Sequence, residues 1–277
     1  MFGASEEART RSPVELFEGV SDETWRWLHL EARELCPFLH DYLPGLTGDP
    51  SMERRWVGSS GRDALAQGFE IYTLFKNVYE KYAGPLTPAS KILDFGCGWG
   101  RVIRFFLKDT KPENLIGIDV SAQALASISD RWCRFEQCER RPPTRLESNS
   151  FHLVYAFSVF SHLSEEAHID WLQEFRRLMR RGGVLIVTTF QRRFLPIPSD
   201  GSNDLGDRSP EEWFKAYDRG EFCFRRLPSV PGNPDFGDAF VPERYVRERW
   251  SMDFIIHEYF DAATLGQSII VCQPLAA

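Results

Sequence analysis

Long apolar runs are missing from this chain of 277 residues: the longest, such as 183–187 and 268–272, fall far below the roughly 18 residues that suggest a membrane-spanning helix. Membrane insertion is therefore not expected. The stretch from Met1 to Pro13 alternates acidic and basic residues and has no apolar core, so it lacks the central region of a secretory signal, and a cytoplasmic location is expected. A basic surplus is missing too. The chain has 33 Lys and Arg against 40 Asp and Glu, a formal net charge of -7, which argues against broad, sequence-independent adhesion to nucleic acid or anionic membrane. Cysteine is sparse. The six, Cys36, Cys97, Cys133, Cys138, Cys223 and Cys272, form no C-x-x-C pair and have no adjacent histidine ligand set, so buried reduced thiols are expected and no metal site. Internal repeats and low-complexity tracts are also absent. What remains, 43% hydrophobic and 26% charged residues, is the composition of a folded globular protein of one large domain or a core with an appendage.

To about Pro88 the pattern is helical with interruptions. Ser21 precedes Asp22 and Glu23 and an apolar-rich run, predicting a capped helix over Trp25 to Leu35 that ends near Pro37. Leu65, Phe69, Tyr72, Phe75, Val78 and Tyr79 recur every three or four residues, predicting a second helix from Asp63 to Tyr82 stopped by Gly84 and Pro85. The Gly- and Pro-rich stretch 43–61 between them reads as a loop or ordered crossing.

From Lys91 short apolar runs alternate with helical segments, the mark of a mainly parallel sheet. Strands are predicted at Lys91–Phe95, Leu115–Asp119, Arg134–Gln137, Leu153–Phe157 and Val184–Phe190, with helices at Arg101–Leu107, Ser121–Trp132 and His168–Arg180. Arg181, Gly182 and Gly183 suit the closing turn of the last helix. Residues 192–242, dense in Gly, Pro, Asp and aromatics, read as an insertion with one helix at Pro210–Tyr217. Strands at Met252–Phe260 and Ser268–Cys272, joined through Thr264 to Gly266, suit antiparallel neighbours. The expected organisation is a helical cap over 1–88 and an α/β domain over 89–277 carrying the insertion.

The informative segment is Ile92-Leu93-Asp94-Phe95-Gly96-Cys97-Gly98-Trp99-Gly100-Arg101, a strand running through a glycine-rich turn. Such glycines let a ligand approach the backbone where side chains would collide. The spacing is G-x-G-x-G, and Arg101 stands where a dinucleotide fingerprint needs its third glycine, which weakens a pyrophosphate reading. Asp119 ends the next strand, at the interval where open α/β sheets place an acid for ribose hydroxyls.

With Ile118-Asp119, Phe151-His152-Leu153-Val154 and Arg181-Gly182-Gly183, this turn resembles class I S-adenosylmethionine-dependent methyltransferases, over about Lys91 to Cys272 without much of the insertion. More narrowly, Ile92 to Val102, Phe157 to Leu163 and Tyr245 to Trp250 are similar to bacterial methyltransferases associated with glycan and cell-surface polysaccharide biosynthesis. The resemblance implies a Rossmann-like, doubly wound sheet of seven strands, mostly parallel, with the last antiparallel. It implies S-adenosyl-L-methionine as cofactor, with Gly96 and Gly98 against its methionine part, Gly100 a further cofactor-binding residue, and Asp94 helping to hold its ammonium directly or through water. Asp119 would take the ribose hydroxyls, Val120 would pack beside the adenine, and Cys138 falls where an Asp or Asn commonly meets the adenine amino group. That departure leaves Gln137, Glu139 or backbone groups as alternatives. His152 stands where an Asp is usual.

Methyl transfer from a sulfonium is an in-line displacement that rests on alignment and needs no protein nucleophile. A hydroxyl acceptor must lose a proton, and His162, after the fourth strand, is the candidate base. The acceptor expected is a small molecule or carbohydrate. Plainer readings stand beside these: Asp119 as a helix cap, His162 as a cap or packing residue, His257 as a sheet residue, and Trp99 as core cover. Arg176, Arg177, Arg180 and Arg181 suit a solvated helix end, and Arg192, Arg193, Arg225 and Arg226 flank the insertion, where a phosphate or sugar-nucleotide is a second reading. The rival functions are a nicotinamide-dependent oxidoreductase using the same crevice and a non-catalytic, cofactor-binding partner subunit.

Overall fold

The computed structural model describes residues 12–128, 132–201, 204–227 and 232–275, which fall into two compact units, 1–138 and 139–277. In the first, α1 (Pro13–Leu16) and α2 (Asp22–Trp27) lead into α3 (Arg33–Leu35). Ser21 caps α2, its Oγ accepting from the Thr24 amide at 3.1 Å. The single helix expected over 25–35 is interrupted, because Leu28–Ala32 is wound as a π-helix. That turn carries His29 into the core against Trp25 and Phe105, with ring centroids 4.5 and 4.7 Å away. The Gly- and Pro-rich stretch 43–61 contains α4 (Pro50–Val57), capped by Asp49, begun by Pro50 and closed by Gly58 at φ +75°.

The predicted amphipathic helix is α5 (Gly61–Ala83), and Leu65, Phe69, Tyr72, Phe75, Val78 and Tyr79 are all buried in it. Buried Glu53 of α4 accepts from the Gly61 amide at 2.7 Å and thereby satisfies an orphan donor at the start of α5. Gly68 is required there: a Cβ would stand 2.6 Å from the Arg101 carbonyl oxygen. β1 (Ile92–Phe95), β2 (Leu115–Asp119), α6 (Ala122–Ala126) and β3 (Arg134–Gln137) complete the unit, with β2 parallel to both β1 and β3.

Two helices differ from expectation. The segment after the glycine turn is a 3-10 turn over Ile103–Lys108, in which all of 103–107 is buried. A segment packed on every side has no solvent face to establish the 3.6-residue pattern. The helix predicted to run to Trp132 stops at Ala126, where the Ser127 hydroxyl donates back to the Ala124 carbonyl at 2.6 Å. Residues 129–131 of that prediction lie outside the described residues.

The second unit contains β4 (Phe151–Ala156), α7 (Glu165–Leu178), β5 (Met179–Phe190), α8 (Pro210–Asp218), β6 (Cys223–Arg226), β7 (Gly237–Phe240), α9 (Glu243–Arg249), β8 (Phe254–Ala262) and β9 (Gln267–Pro274). α7 starts three residues earlier than predicted, at the cap Ser164, and ends at Leu178. Met179 is already extended and pairs with Phe151, so Gly182, at φ +73°, bends the strand and does not close the helix. The insertion contains α8 as expected, and also the unforeseen antiparallel hairpin β6–β7. Leu195, Trp213, Ala216, Cys223 and Phe240 form its own apolar cluster.

The principal sheet has seven strands in the order β3-β2-β1-β4-β5-β9-β8, and β9 runs antiparallel to β5 and β8. This is the Rossmann-like arrangement expected, with six strands parallel and the last reversed. Among the described residues no helix is long and apolar enough to cross a membrane.

Candidate functional site

In the first unit the end of β1 opens into a turn whose three glycines all take left-handed backbone angles, φ +75° at Gly96, +55° at Gly98 and +75° at Gly100. Residues with a Cβ are strained there. The Gly96 and Cys97 amides both reach the Ile118 carbonyl, at 2.8 and 3.2 Å, tying the turn to the end of β2. Asp119 closes the arrangement, its Oδ2 accepting from the Gly98 amide and its Oδ1 from the Ser121 amide, each at 2.8 Å. The capping reading of Asp119 thus coexists with a ligand-binding one, since a carboxylate oxygen accepts more than one hydrogen bond. Burial pushes the Asp119 pKa up, and the amides of Ser121, Gly98 and Val120 pull it back.

The glycines differ in what their missing side chains face. At Gly98 a Cβ would meet nothing nearer than the Trp56 ring at 3.9 Å. At Gly100 it would stand 2.8 Å from Trp132 and 3.0 Å from Phe135, and at Gly117 2.8 Å from Phe135 and 2.9 Å from the Cys97 sulfur. Gly98 leaves bare backbone on open space, whereas Gly100 and Gly117 let aromatic packing come up underneath. Val120 is half-exposed, with its carbonyl accepting from Gln137 Nε2 at 3.2 Å, and Cys138 donates its amide to the Asp119 carbonyl at 3.0 Å. Asp94 is buried, and its charge partly offsets the burial that lowers the pKa of nearby Arg101 to about 10. Arg101 itself donates to Gln67 of α5 at 3.2 Å.

Trp99 is buried beneath the Arg104 guanidinium, 5.0 Å from its ring centroid, so it covers core and offers no open face to a ligand. Arg104 also donates to the carbonyls of Gly100, Pro44 and Gly45 at 3.1, 3.3 and 3.0 Å. Trp56 escaped the sequence reading because its segment had no clear periodicity. Its ring, 37% exposed, stands over the bare backbone of Gly98.

In the second unit β4 leads through Ser158, at φ +58°, into a 3-10 turn over Phe160–His162. The Ser158 amide donates to Thr188 Oγ1 at 2.8 Å, and buried His168 binds the Phe160 carbonyl through Nε2 at 2.7 Å. Burial holds the His168 pKa down to about 3. His162 Nδ1 lies 3.0 Å from the Gly237 carbonyl oxygen. The ring stacks on Phe236 at 5.2 Å with an interplanar angle of 9°, and meets Phe190 edge-on at 5.1 Å. Asp238 Oδ1 is 4.0 Å from the same Nδ1. Burial pushes the His162 pKa below its ordinary value, partly opposed by the Gly237 carbonyl and the Asp238 charge.

Neighbours 75 residues away in sequence left no signal beyond the glycines of the insertion. Of the other groups singled out, His257 is a strand residue bound to Gln273 at 2.9 Å, and His152 accepts from Arg180 at 2.7 Å. The phosphate reading fails at Arg225, which is buried and committed to Asp238 at 2.7 Å and to the Leu195 and Ile197 carbonyls. Arg192 is held by both oxygens of Asp218, at 2.7 and 2.6 Å. Arg176 pairs with Asp253, and Arg177 with Glu174.

Residues 93–185 match a family model described as a methyltransferase domain. A malonyl-[acyl-carrier protein] O-methyltransferase of Marinomonas sp. (strain MWYL1) is 27% identical over 163 residues, 56% of this chain and 60% of the relative. The chain therefore matches less than two thirds of that relative's length. Among solved structures, a protein of Listeria monocytogenes described as an S-adenosylmethionine dependent methyltransferase matches with a TM-score of 0.52 at 14% identity, covering 76% of this chain and 99% of that one. The PH0226 protein of Pyrococcus horikoshii OT3 matches with a TM-score of 0.50 at 16% identity, covering 74% and 90%. At these identities the structural matches bear on the fold.

Proposed function

We propose that the chain is a class I S-adenosylmethionine-dependent methyltransferase that transfers the methyl group to a hydroxyl oxygen of a carbohydrate or small-molecule acceptor, a reading supported by the match of residues 93–185 to a methyltransferase-domain family model. The observation that supports this best is the pairing of bare backbone at Gly98 with the nearly buried Asp119 carboxylate, joined at 2.8 Å. When bound, the cofactor supplies an electrophilic methyl on a sulfonium. Gly96 and Gly98 would lie against its methionine part, with Asp94 toward the ammonium and Gly100 keeping the turn's shape. Asp119 would receive the ribose hydroxyls in its remaining acceptor positions, Val120 would pack on the adenine, and Cys138, through its backbone, would border the same base. A carboxylate already fixed by two amides needs little reorganisation to hold a diol.

His162 would act as base on the acceptor hydroxyl. The imidazole would take the proton of the acceptor hydroxyl as that oxygen attacks, while the cofactor would supply the methyl group and a neutral thioether leaving group. Burial helps this role by keeping the imidazole neutral near pH 7. The resemblance of 157–163 and 245–250 to methyltransferases of glycan biosynthesis supports a carbohydrate acceptor. The O-methyltransferase among the relatives supports transfer to oxygen.

Incubation with labelled methyl donor and a panel of sugars, glycan extracts, small hydroxyl acceptors and malonyl-acyl-carrier protein tests the proposal by mass analysis. Label on a hydroxyl oxygen, lost in Asp119→Ala together with calorimetric binding of S-adenosylmethionine, is the expected result. No binding by the wild-type chain overturns the cofactor reading. Label on nitrogen, carbon or a carboxylate overturns the hydroxyl acceptor.

A further inference from the structure

The β6–β7 hairpin of the insertion is built around His162. Leu163 bridges to Phe236, and the Ser164 amide and hydroxyl bind the Asp235 carbonyl and Oδ1 at 3.0 and 2.8 Å. Arg141 clamps Asp235 from the other side, at 2.9 Å through Nε. Gly237 is held so close to its partner strand that a Cβ would lie 2.2 Å from the Arg225 carbonyl oxygen. The hairpin therefore reaches the histidine with a bare stretch of main chain between an aromatic ring and a carboxylate.

We propose that this hairpin is a positioning device for His162: Gly237 fixes which ring nitrogen carries the proton, Phe236 fixes the ring plane, and Asp238 steadies the imidazolium formed during turnover. A carbonyl oxygen only accepts hydrogen bonds, so the 3.0 Å contact places the proton of the neutral ring on Nδ1. Nε2 then holds the lone pair, and it makes no hydrogen bond among the described residues. Among the described residues Asp238 is the charged side chain paired with the ring at 4.0 Å, and Phe190 of β5 and Phe236 beside β7 pack against it. The carboxylate is itself fixed, accepting from Arg225 at 2.7 Å and from the amide and hydroxyl of Ser199, the former at 3.0 Å. Proton uptake at Nε2 would create a positive ring facing a negative group that does not have to move. Asp238 and Phe236 are thus positioning residues acting through His162, and the inference rests on the reading of His162 as base.

The test is nitrogen-15 NMR of the histidine rings in the full-length protein across pH. At pH above the His162 titration, Nδ1 is expected to carry the proton and Nε2 to be bare. In Asp238→Asn the midpoint is expected to move to lower pH with the tautomer kept, because the carboxylate attraction is gone and the Gly237 contact stays. Where that variant does not fold, Phe236→Leu, which leaves the Arg225–Asp238 pair in place, is expected to broaden the ring signals and lower the transfer rate without raising the acceptor KM. An Nε2–H tautomer in the wild type overturns the positioning, as does an unmoved midpoint in folded Asp238→Asn or an unchanged rate in Phe236→Leu. His162→Gln separates this from the base reading. Its transfer rate is expected to fall by about 10²- to 10⁴-fold, and unimpaired transfer overturns that reading whatever the tautomer.

Discussion

The candidate site of the first unit is mostly main chain, whereas that of the second joins side chains to the main-chain carbonyl of Gly237. Around Gly98 the groups on offer are peptide amides and bare Cα atoms, with the Asp119 carboxylate drawn in from 21 residues along the sequence. Around His162 the parts are rings and charges delivered by an inserted hairpin 75 residues away, and every one leans on another: His162 on Gly237, Asp238 on Arg225, Asp235 on Arg141. A site of the first kind is protected by steric strain, because a residue with a Cβ is disfavoured at positive φ. A site of the second kind depends on a chain of partners. Its weak point lies behind the histidine, at the buried ion pair.

Arg225→Met should break this contrast most forcefully. It leaves Asp238 buried without its cation, and a loss of about 3–5 kcal/mol in stability is expected in urea unfolding. Molecules still folded should keep S-adenosylmethionine affinity within roughly twofold, because Arg225 and Asp238 bind each other, Leu195, Ile197 and Ser199, whereas the turn binds Ile118 and Asp119. A large drop in cofactor affinity would mean that the two clusters do not have separate foundations. Gly117→Ala probes the other side: its Cβ would meet Phe135 at 2.8 Å and the Cys97 sulfur at 2.9 Å. A cost of about 1–3 kcal/mol is expected, accompanied by weaker cofactor binding as Cys97 is pushed within the turn. Unchanged thermal stability would show that the packing under the turn yields more readily than the distances imply. Trp56→Leu should have the smallest effect. Stability is expected to stay within about 0.5 kcal/mol because the ring is partly exposed, while S-adenosylmethionine affinity by titration calorimetry falls about two- to fivefold, the worth of an exposed cation–aromatic contact. Unaltered affinity would leave the ring without a part in binding.

The same contrast explains what was legible in the sequence. Strand positions were readable because Ile92-Leu93, Leu115-Ile116 and Val184 to Val187 are short apolar runs buried on both faces. The glycine turn and Asp119 were readable because a backbone-made site leaves its mark at fixed local spacing. The π-helix at Leu28–Ala32 and the 3-10 turn at Ile103–Lys108 were not, since both are imposed by packing that the 3.6-residue pattern does not encode. β6 and β7 were missed because Cys223–Arg226 and Gly237–Phe240 are only four residues long, lie among Gly and Pro, and alternate weakly. Arg225 reads as a surface cation in sequence, and only the pairing Arg225↔Asp238 across the hairpin reveals it as an interior one. His162 was nameable as a histidine after β4, but what orients it was not.

The notch at Gly68 has a consequence for how this protein can be altered or inherited. With no side chain there, α5 settles directly on the Arg101 main chain, while Trp25 donates its indole N–H to the Phe105 carbonyl at 2.9 Å. The N-terminal helices are keyed at two points into the segment that follows the glycine turn. Grafting a foreign leader onto residue 89 would strip that segment of its backing, so a successful chimera must bring along a matching groove, and the leader and the segment should drift together through descent as one unit.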